Sequence, residues 1–187
     1  HVRSRRQRQM CIRDRTRCCL GVIVNAMTSN QTLTLPYQAP WDWQQFHGHF
    51  RLRAIAGQEC LGERDYCRSF RLGEITGWFR VTAPSDGHAL TLEHSTSAIA
   101  CQPLLVQRVR RMFDLDANPA LIAAHFAADQ HLAAMLARNP GLRLPTAFDA
   151  FEQAVRAIVG QQVTVKAAVT ITCLLYTSPS PRDRQKS

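Results

Sequence analysis

The chain has 187 residues, 45% of them hydrophobic, which suffices for one large domain or two small ones with a buried core. Its formal net charge of +9 points towards nucleic acid, but residues 1–17 hold seven Arg and one Asp, or +6, and residues 174–187 contribute +2. Only +1 is left for residues 18–173, so the charge is weak evidence about the folded part.

Both ends lack a helical or strand period, and both contain the string Arg-Asp-Arg. We interpret residues 1–26 as a non-native or disordered extension and residues 174–187 as a non-native tail, because both resemble translated sequencing-adapter sequence. Met27 is then a candidate for the first native residue. The alternatives are a basic arm that binds nucleic acid and, for the apolar run at 18–24, a signal peptide.

Cysteines and histidines do not form a metal-binding pattern. None of the seven cysteines makes a Cys-x-x-Cys pair, and His47 and His49 have no second ligand pair at finger spacing. We therefore expect free thiols in a reducing cytoplasm, with no metal and no cofactor. No run is long enough to span a membrane, so we expect no membrane partner.

The sequence pattern of residues 32–113 predicts antiparallel strands flanked by helices. Alternating side chains indicate strands at 32–35, 58–61, 66–72, 75–83 and 88–93, with turns at 73–74 and 84–87. Apolar residues at helical spacing predict helices over 41–53, capped by Asp42, and over 98–113. This order is typical of an α+β domain.

After Pro119 the pattern is helical, with Ala-rich helices at 121–126 and 131–136 and a break at 139–141. We place a domain boundary near Leu115. An α+β domain then covers 27–115, and the start of an all-α domain covers 116–173.

The stretch 141–165, GLRLPTAFDAFEQAVRAIVGQQVTV, predicts two helices joined by a short polar corner. Thr146 is the expected cap of the first helix, and Gly160 is expected to end it in the left-handed conformation. Thr164 is expected to cap the second helix. The apolar stripe of the first helix consists of Phe148, Phe151, Val155 and Ile158.

Several strings resemble the AlkA-type 3-methyladenine DNA glycosylases of the helix-hairpin-helix superfamily. The most specific are GLRLP and DAFEQAVRAIVGQQV, and RMFDLDANP, PWDWQQF and YCRSFRLGEITGWF fall in the right order. Together the strings cover roughly residues 32–172. The resemblance implies DNA repair by a monomeric enzyme that flips alkylated bases out of double-stranded DNA and hydrolyses the N-glycosidic bond.

The resemblance also assigns site residues. Gln162 matches a wedge residue that fills the gap left by the flipped base, Gln161 matches a residue of the base pocket, and His49 matches an aromatic pocket position. The alternatives are a solvated turn for the two glutamines and a surface histidine for His49.

The glycine-rich hairpin of the family and the aspartate that follows it are not found in this sequence. No other aspartate lies in that context, so we assign no catalytic residue and expect the chain alone to be inactive. The aspartates considered are Asp114, Asp116, Asp129 and Asp149. The alternative function is a non-catalytic DNA-binding module, or part of an alkylation-response regulator fused to a glycosylase body.

Overall fold

The computed structural model describes residues 30–83 and 88–177. In these residues five strands form one antiparallel sheet in the order β1-β5-β4-β3-β2. The strands are β1 (Asn30–Pro36), β2 (Glu59–Leu61), β3 (Asp65–Leu72), β4 (Ile75–Thr82) and β5 (Ala89–Ser95). The predicted α+β class is confirmed. The predicted turn at 84–87 and the segments 1–29 and 178–187 lie outside the described residues.

Six α-helices accompany the sheet in the described part of the chain. They are α1 (Trp43–Arg53), α2 (Gln102–Met112), α3 (Pro119–Phe126), α4 (Gln130–Arg138), α5 (Ala150–Val159) and α6 (Val165–Thr177). The predicted cap of α1 is correct, since the Asp42 carboxylate accepts the Gln44 amide at 2.8 Å. The helix expected over 98–113 begins as a 3₁₀ helix, Thr96–Cys101, before α2.

The core lies between one face of the sheet and helices α1 and α2. Alternate residues of β3, Tyr66, Phe70 and Leu72, point into it because successive side chains of a strand face opposite sides. Phe46 and Phe113 complete an aromatic group with rings 5.7 Å apart. The sheet therefore has one apolar face that the two helices cover.

A buried arginine joins three segments that are distant in sequence. The Arg143 guanidinium, 2% exposed, donates to the carbonyls of Ala117 at 2.7 Å, Pro40 at 3.1 Å and Asp114 at 3.3 Å, and also to that of Gln38. These carbonyls lie in or beside the strings DLDANP and PWDW, and Arg143 belongs to GLRLP. Three of the five strings that carry the family resemblance thus meet in space.

The predicted start of α5 is wrong. Asp149 is the cap, and its carboxylate accepts the amides of Phe151 at 2.9 Å and Glu152 at 3.3 Å. Thr146 is held elsewhere, since its amide and hydroxyl donate to the carbonyls of Met112 and Arg111 at the end of α2. The helix therefore begins three residues later than Thr146 predicts, after the segment that is hydrogen-bonded to the end of α2.

The apolar stripe of α5 is not a core face. Phe148 is buried, but Phe151 and Ile158 are 71% and 69% exposed. The face of α5 that meets the sheet domain carries Glu152 and Arg156 instead.

The expectation that 174–187 lacks helical structure is wrong for its first four residues, because α6 runs to Thr177. Leu174 and Leu175 continue the apolar composition of that helix, which favours its extension. No helix in the described ranges is long and apolar enough to cross a membrane.

Candidate functional site

Two adjoining cavities lie where α5 and α6 meet the sheet domain, and we call them together the cleft. The first has a volume of about 170 Å³, and the second about 320 Å³. Arg53, Arg156 and Ala157 line both. His49 lines the first and Gln161 the second, so two residues 112 positions apart are brought to one cleft. Their assignment to a base pocket stays a prediction.

His49 is neutral at physiological pH. It lies on α1, half-buried, with its ring edge-on to Phe50 at 5.5 Å. Burial, with added repulsion from Arg53 and Arg156, lowers the pKa of His49 from 6.5 to about 4. The imidazole therefore presents an uncharged ring to the first cavity.

The corner between α5 and α6 differs from its predicted geometry. Gly160 keeps right-handed helical angles, with φ −73°, and the left-handed residue is Gln162, with φ 59°. Gly160 is required for a different reason, since a Cβ there would lie 2.9 Å from the Arg156 carbonyl oxygen. The predicted cap of α6 is correct, because the Thr164 hydroxyl accepts the Ala167 amide at 3.2 Å.

Gln162 is the residue with the left-handed backbone, and it is exposed to solvent. Its chain neighbour Gln161 lines the cleft. A left-handed conformation costs a non-glycine residue about 1–2 kcal/mol, so the surrounding corner must hold it. The corner has the exposure that a wedge needs. The wedge role itself remains a prediction.

The wall and floor of the cleft contain an ion cluster of four residues: Glu59 on β2, Arg68 on β3, and Glu152 and Arg156 on α5. Arg68 donates through both Nη atoms to Glu152, at 3.1 Å for one of them, and Glu59 lies 3.5 Å from Arg68. Arg156 binds Glu152 at 2.8 Å and Glu59 at 2.9 Å. The cluster is neutral overall and ties α5 to the sheet.

Glu59 also accepts hydrogen bonds from groups outside the cluster. Its carboxylate accepts the Tyr66 hydroxyl at 2.6 Å and the Ile55 amide at 2.7 Å. Arg156 also donates to the Arg53 carbonyl at 2.7 Å, where α1 ends. The orientation of Arg156 in the cleft therefore depends on groups from three separate elements.

Interactions between opposite charges keep the side chains of Glu152 and Arg156 ionised in the cluster. Burial alone would raise the pKa of Glu152, but the hydrogen bond and charge of Arg68, with those of Arg156, hold it below its ordinary value. Burial alone would lower the pKa of Arg156, but Glu59 and Glu152 keep it raised. The Glu152 carboxylate is thus ionised, and both carboxylates that line the cleft, Glu59 and Glu152, are bound by arginine.

The aspartates that we excluded as catalytic have structural partners. Asp149 and Asp129 cap α5 and α4, Asp116 binds Arg110, and Asp114 accepts the Leu144 amide at 3.1 Å. Asp149 also binds Arg108 at 2.9 Å. None of the four lines the cleft.

Sequence reasoning missed the ion cluster. One signal was present, because Arg68 shares the inward face of β3 with Tyr66 and Phe70, and a buried arginine needs hydrogen-bond acceptors, of which a carboxylate also compensates its charge. A second was the i, i+4 spacing of Glu152 and Arg156. Neither signal identifies Glu59 as the fourth residue of the cluster.

In the residues described, no group of three or more His, Cys, Asp or Glu side chains is arranged to hold a metal ion. Cys60, Cys67, Cys101 and Cys173 are thiols rather than disulfides.

The fold and the cleft agree with what comparison with known proteins shows. The fold is an α+β domain followed by helices, with a cleft at their junction. Residues 32–149 match the model of the AlkA N-terminal domain, and the chain belongs to that family.

The similar curated proteins are DNA repair enzymes. DNA-3-methyladenine glycosylase 2 of Escherichia coli (strain K12) is 38% identical over 142 residues, which cover 74% of this chain and 47% of that protein. A probable bifunctional transcriptional activator/DNA repair enzyme AlkA of Mycobacterium tuberculosis is 34% identical over 148 residues, 78% of this chain and 29% of the relative. The chain thus spans less than half the length of either relative and matches the glycosylases in their N-terminal region.

A solved structure, the 3-methyladenine DNA-glycosylase from Archaeoglobus fulgidus, has the same fold. It superimposes with a TM-score of 0.65 over 75% of this chain and 48% of its own, at 15% identity. At that identity the likeness concerns the fold alone.

Proposed function

We propose that this chain is part of a DNA-3-methyladenine glycosylase and contributes one wall of its base pocket together with the wedge residue. The observation that carries the proposal is that His49 and Gln161 line adjoining cavities of one cleft, with Gln162 exposed next to Gln161 in the chain. The substrate is double-stranded DNA with alkylated bases. The enzyme acts as a monomer in the bacterial cytoplasm, where the chromosome is.

The chemistry of the cleft suits a flipped alkylated base. Such an enzyme must take its target out of the stack, which costs a few kcal/mol, and must fill the gap in the duplex. Many alkylated bases carry a positive charge, and a protonated histidine would repel them. The lowered pKa of His49 keeps that ring neutral, so it adds no positive charge to that of Arg53 and can pack against the base.

Excision requires a group that the described residues do not supply. The carboxylates that line the cleft, Glu59 and Glu152, are both held by arginine and therefore cannot stabilise an oxocarbenium-like sugar. We expect the purified 187-residue chain to release no 3-methyladenine from methylated DNA above a no-protein control. Release above that control would contradict this assignment.

A chimera tests the proposal directly. Residues 32–172 replace the matching region of the Escherichia coli relative, and release of 3-methyladenine from methylated duplex is measured. The chimera should release the base, and the relative without its matching region should not. A chimera that melts cooperatively and binds duplex but releases nothing would contradict the proposed function.

The same chimera tests the wedge. Gln162→Ala should slow excision from duplex much more than from single strands, because only the duplex has a gap to fill. Gln162→Leu should retain or raise the rate of excision from duplex, since an apolar side chain stacks well between base pairs. Gln107→Ala, an exposed glutamine on α2, is the matched control. If Gln162→Ala excised from duplex at the unmodified rate, Gln162 would be a solvated turn residue.

A regulatory role is the second candidate, because the Mycobacterium tuberculosis relative is described as both activator and repair enzyme. In that case the domain holds damaged DNA for signalling. The chimera distinguishes the two, since binding without excision would favour this role.

A further inference from the structure

Two cysteines face each other across the outermost strand pair of the sheet. Cys60 on β2 is the direct register partner of Cys67 on β3. β2 is the edge strand. Cys67 is buried and Cys60 is partly exposed. The two thiols are therefore neighbours on one face of a two-stranded hairpin.

The hydrogen-bond pattern gives the spacing of the pair. The Gly62 amide donates to the Asp65 carbonyl at 3.0 Å, and the Ser69 amide donates to the Gln58 carbonyl at 3.0 Å. These bonds lie two positions to either side of the cysteines, so the cysteines occupy a hydrogen-bonded site of the ladder. Such a pair has Cα atoms about 5.5 Å apart, within the Cα range of about 4.4–6.8 Å that disulfides span. Its Cβ atoms lie about 5 Å apart, against about 3.8 Å in a disulfide, so closing the bond draws the two strands together.

The face that carries the cysteines is the outer one. Tyr66 and Arg68, the chain neighbours of Cys67, point inwards to the core and the ion cluster. Across the outer face, Arg80 donates from Nε to the Cys67 sulfur at 3.2 Å. The cysteine pair is thus separate from the cleft.

We propose that Cys60 and Cys67 form a reversible oxidation site, in which a peroxide converts the two thiols into a cross-strand disulfide. The site is independent of the glycosylase proposal. Its effect is to fasten the edge strand to its neighbour beside Glu59, the cluster residue that holds Arg156.

The reaction has two steps. The Cys60 thiol loses its proton and the thiolate attacks one peroxide oxygen, so that the O–O bond breaks and a sulfenic acid forms; for hydrogen peroxide, the departing hydroxide takes up that proton to form one water. The Cys67 sulfur then attacks the Cys60 sulfur, and the departing hydroxide takes the Cys67 proton to form a second water. Two thiols are oxidised by two electrons, and one peroxide is reduced.

The setting of each thiol determines its role. Burial raises the pKa of Cys67 to about 11, despite the opposing effect of Arg80, so this thiol stays protonated and shielded from the oxidant. Cys60 is more accessible to solvent and reacts first. Cys67 completes the disulfide from within the sheet.

Trypsin separates the two cysteines, which makes the bond easy to detect. Cleavage at Arg53, Arg64 and Arg68 places Cys60 in peptide 54–64 and Cys67 in peptide 65–68. The full chain is treated with hydrogen peroxide, remaining thiols are blocked with N-ethylmaleimide, and the digest is analysed by mass spectrometry with and without reductant. The two peptides should appear joined, and reductant should separate them.

Matched variants complete the experiment. Cys60→Ser and Cys67→Ser should abolish the joined peptide, and Cys101→Ser should leave it unchanged. The oxidised chain should melt roughly 5 °C higher than the reduced one, as expected for closing a short loop in a protein of this size. Both peptides carrying N-ethylmaleimide after peroxide, Cys60 joined to a different cysteine, or an unchanged or lower melting temperature would overturn the proposal.

Discussion

The ion cluster makes a quantitative prediction about how α5 is held to the sheet. Arg68 and Glu152 are only 2% and 3% exposed, and each has a second partner in the cluster. We consider Arg68→Met and Glu152→Leu, alone and together. Both replacements are apolar and similar in length to the removed side chain, so the change is mainly one of charge.

Each single variant leaves an uncompensated buried charge. Without Arg68, Glu59 and Glu152 share only Arg156. Without Glu152, two arginines share only Glu59. Removing one partner of a buried ion pair costs about 3–5 kcal/mol. The charge left unpaired is poorly solvated, because the side chains of Arg68, Glu59 and Glu152 are each only 2–3% exposed.

The double variant should be milder than either single variant. It leaves the ion pair between Glu59 and Arg156, at 2.9 Å, neutral and intact. Replacement of a whole buried pair by apolar residues is often neutral, so we expect a loss of no more than about 2 kcal/mol. The double-mutant cycle then gives a coupling of the order of 3 kcal/mol or more.

Urea denaturation of the full chain, followed by tryptophan fluorescence, measures the free energies of unfolding. Glu152→Gln supplies a gentler single variant if Glu152→Leu does not fold. Arg71→Met with Glu74→Leu is the control, because that pair is exposed and 3.8 Å apart, and no coupling is expected. Additive losses from Arg68→Met and Glu152→Leu would refute the reasoning.

Two further predictions concern His49 and Arg143. The folded-state pKa of His49, about 4, lies below its ordinary value of 6.5, so the unfolded chain binds more protons between these values and stability falls as pH decreases from 6.5 to 4. His49→Phe should flatten the melting temperature across that window, and an unchanged slope would contradict the burial of the imidazole. Arg143→Lys should lower the free energy of unfolding by about 3 kcal/mol, because one ammonium cannot reach four carbonyls. Denaturant unfolding measures it, and wild-type stability would show that the carbonyls are satisfied by other means.

Local patterns in the sequence predict most of the fold. Alternation and turn residues locate the strands because each strand has one apolar face, and Gly73 adopts a left-handed φ of 62° in the hairpin between β3 and β4. The Asp42 and Thr164 caps are also local, since each side chain bonds an amide two or three residues along. Such features need no knowledge of the distant chain.

The errors arise where a distant contact outweighs a local preference. Thr146 has the sequence context of a helix cap, but its hydrogen bonds to the end of α2 keep it out of α5. The stripe with Phe151 and Ile158 has the period of a core face, but Arg68 and Glu59 bind the other side of the helix. A local pattern contains no information about either partner.

The cleft itself is a product of such long-range contacts. Gln161 lies just after the end of α5, and His49 lies on α1. Arg156, which lines both cavities, is held by Glu59, 97 positions away in sequence. The same glutamate sits on the short edge strand β2, which is paired with β3 through only three residues. The geometry of the cleft therefore depends on how a short edge strand is attached to the sheet. A change in the attachment of β2 should move Arg156, and with it the space between His49 and Gln161, without altering any residue of the corner.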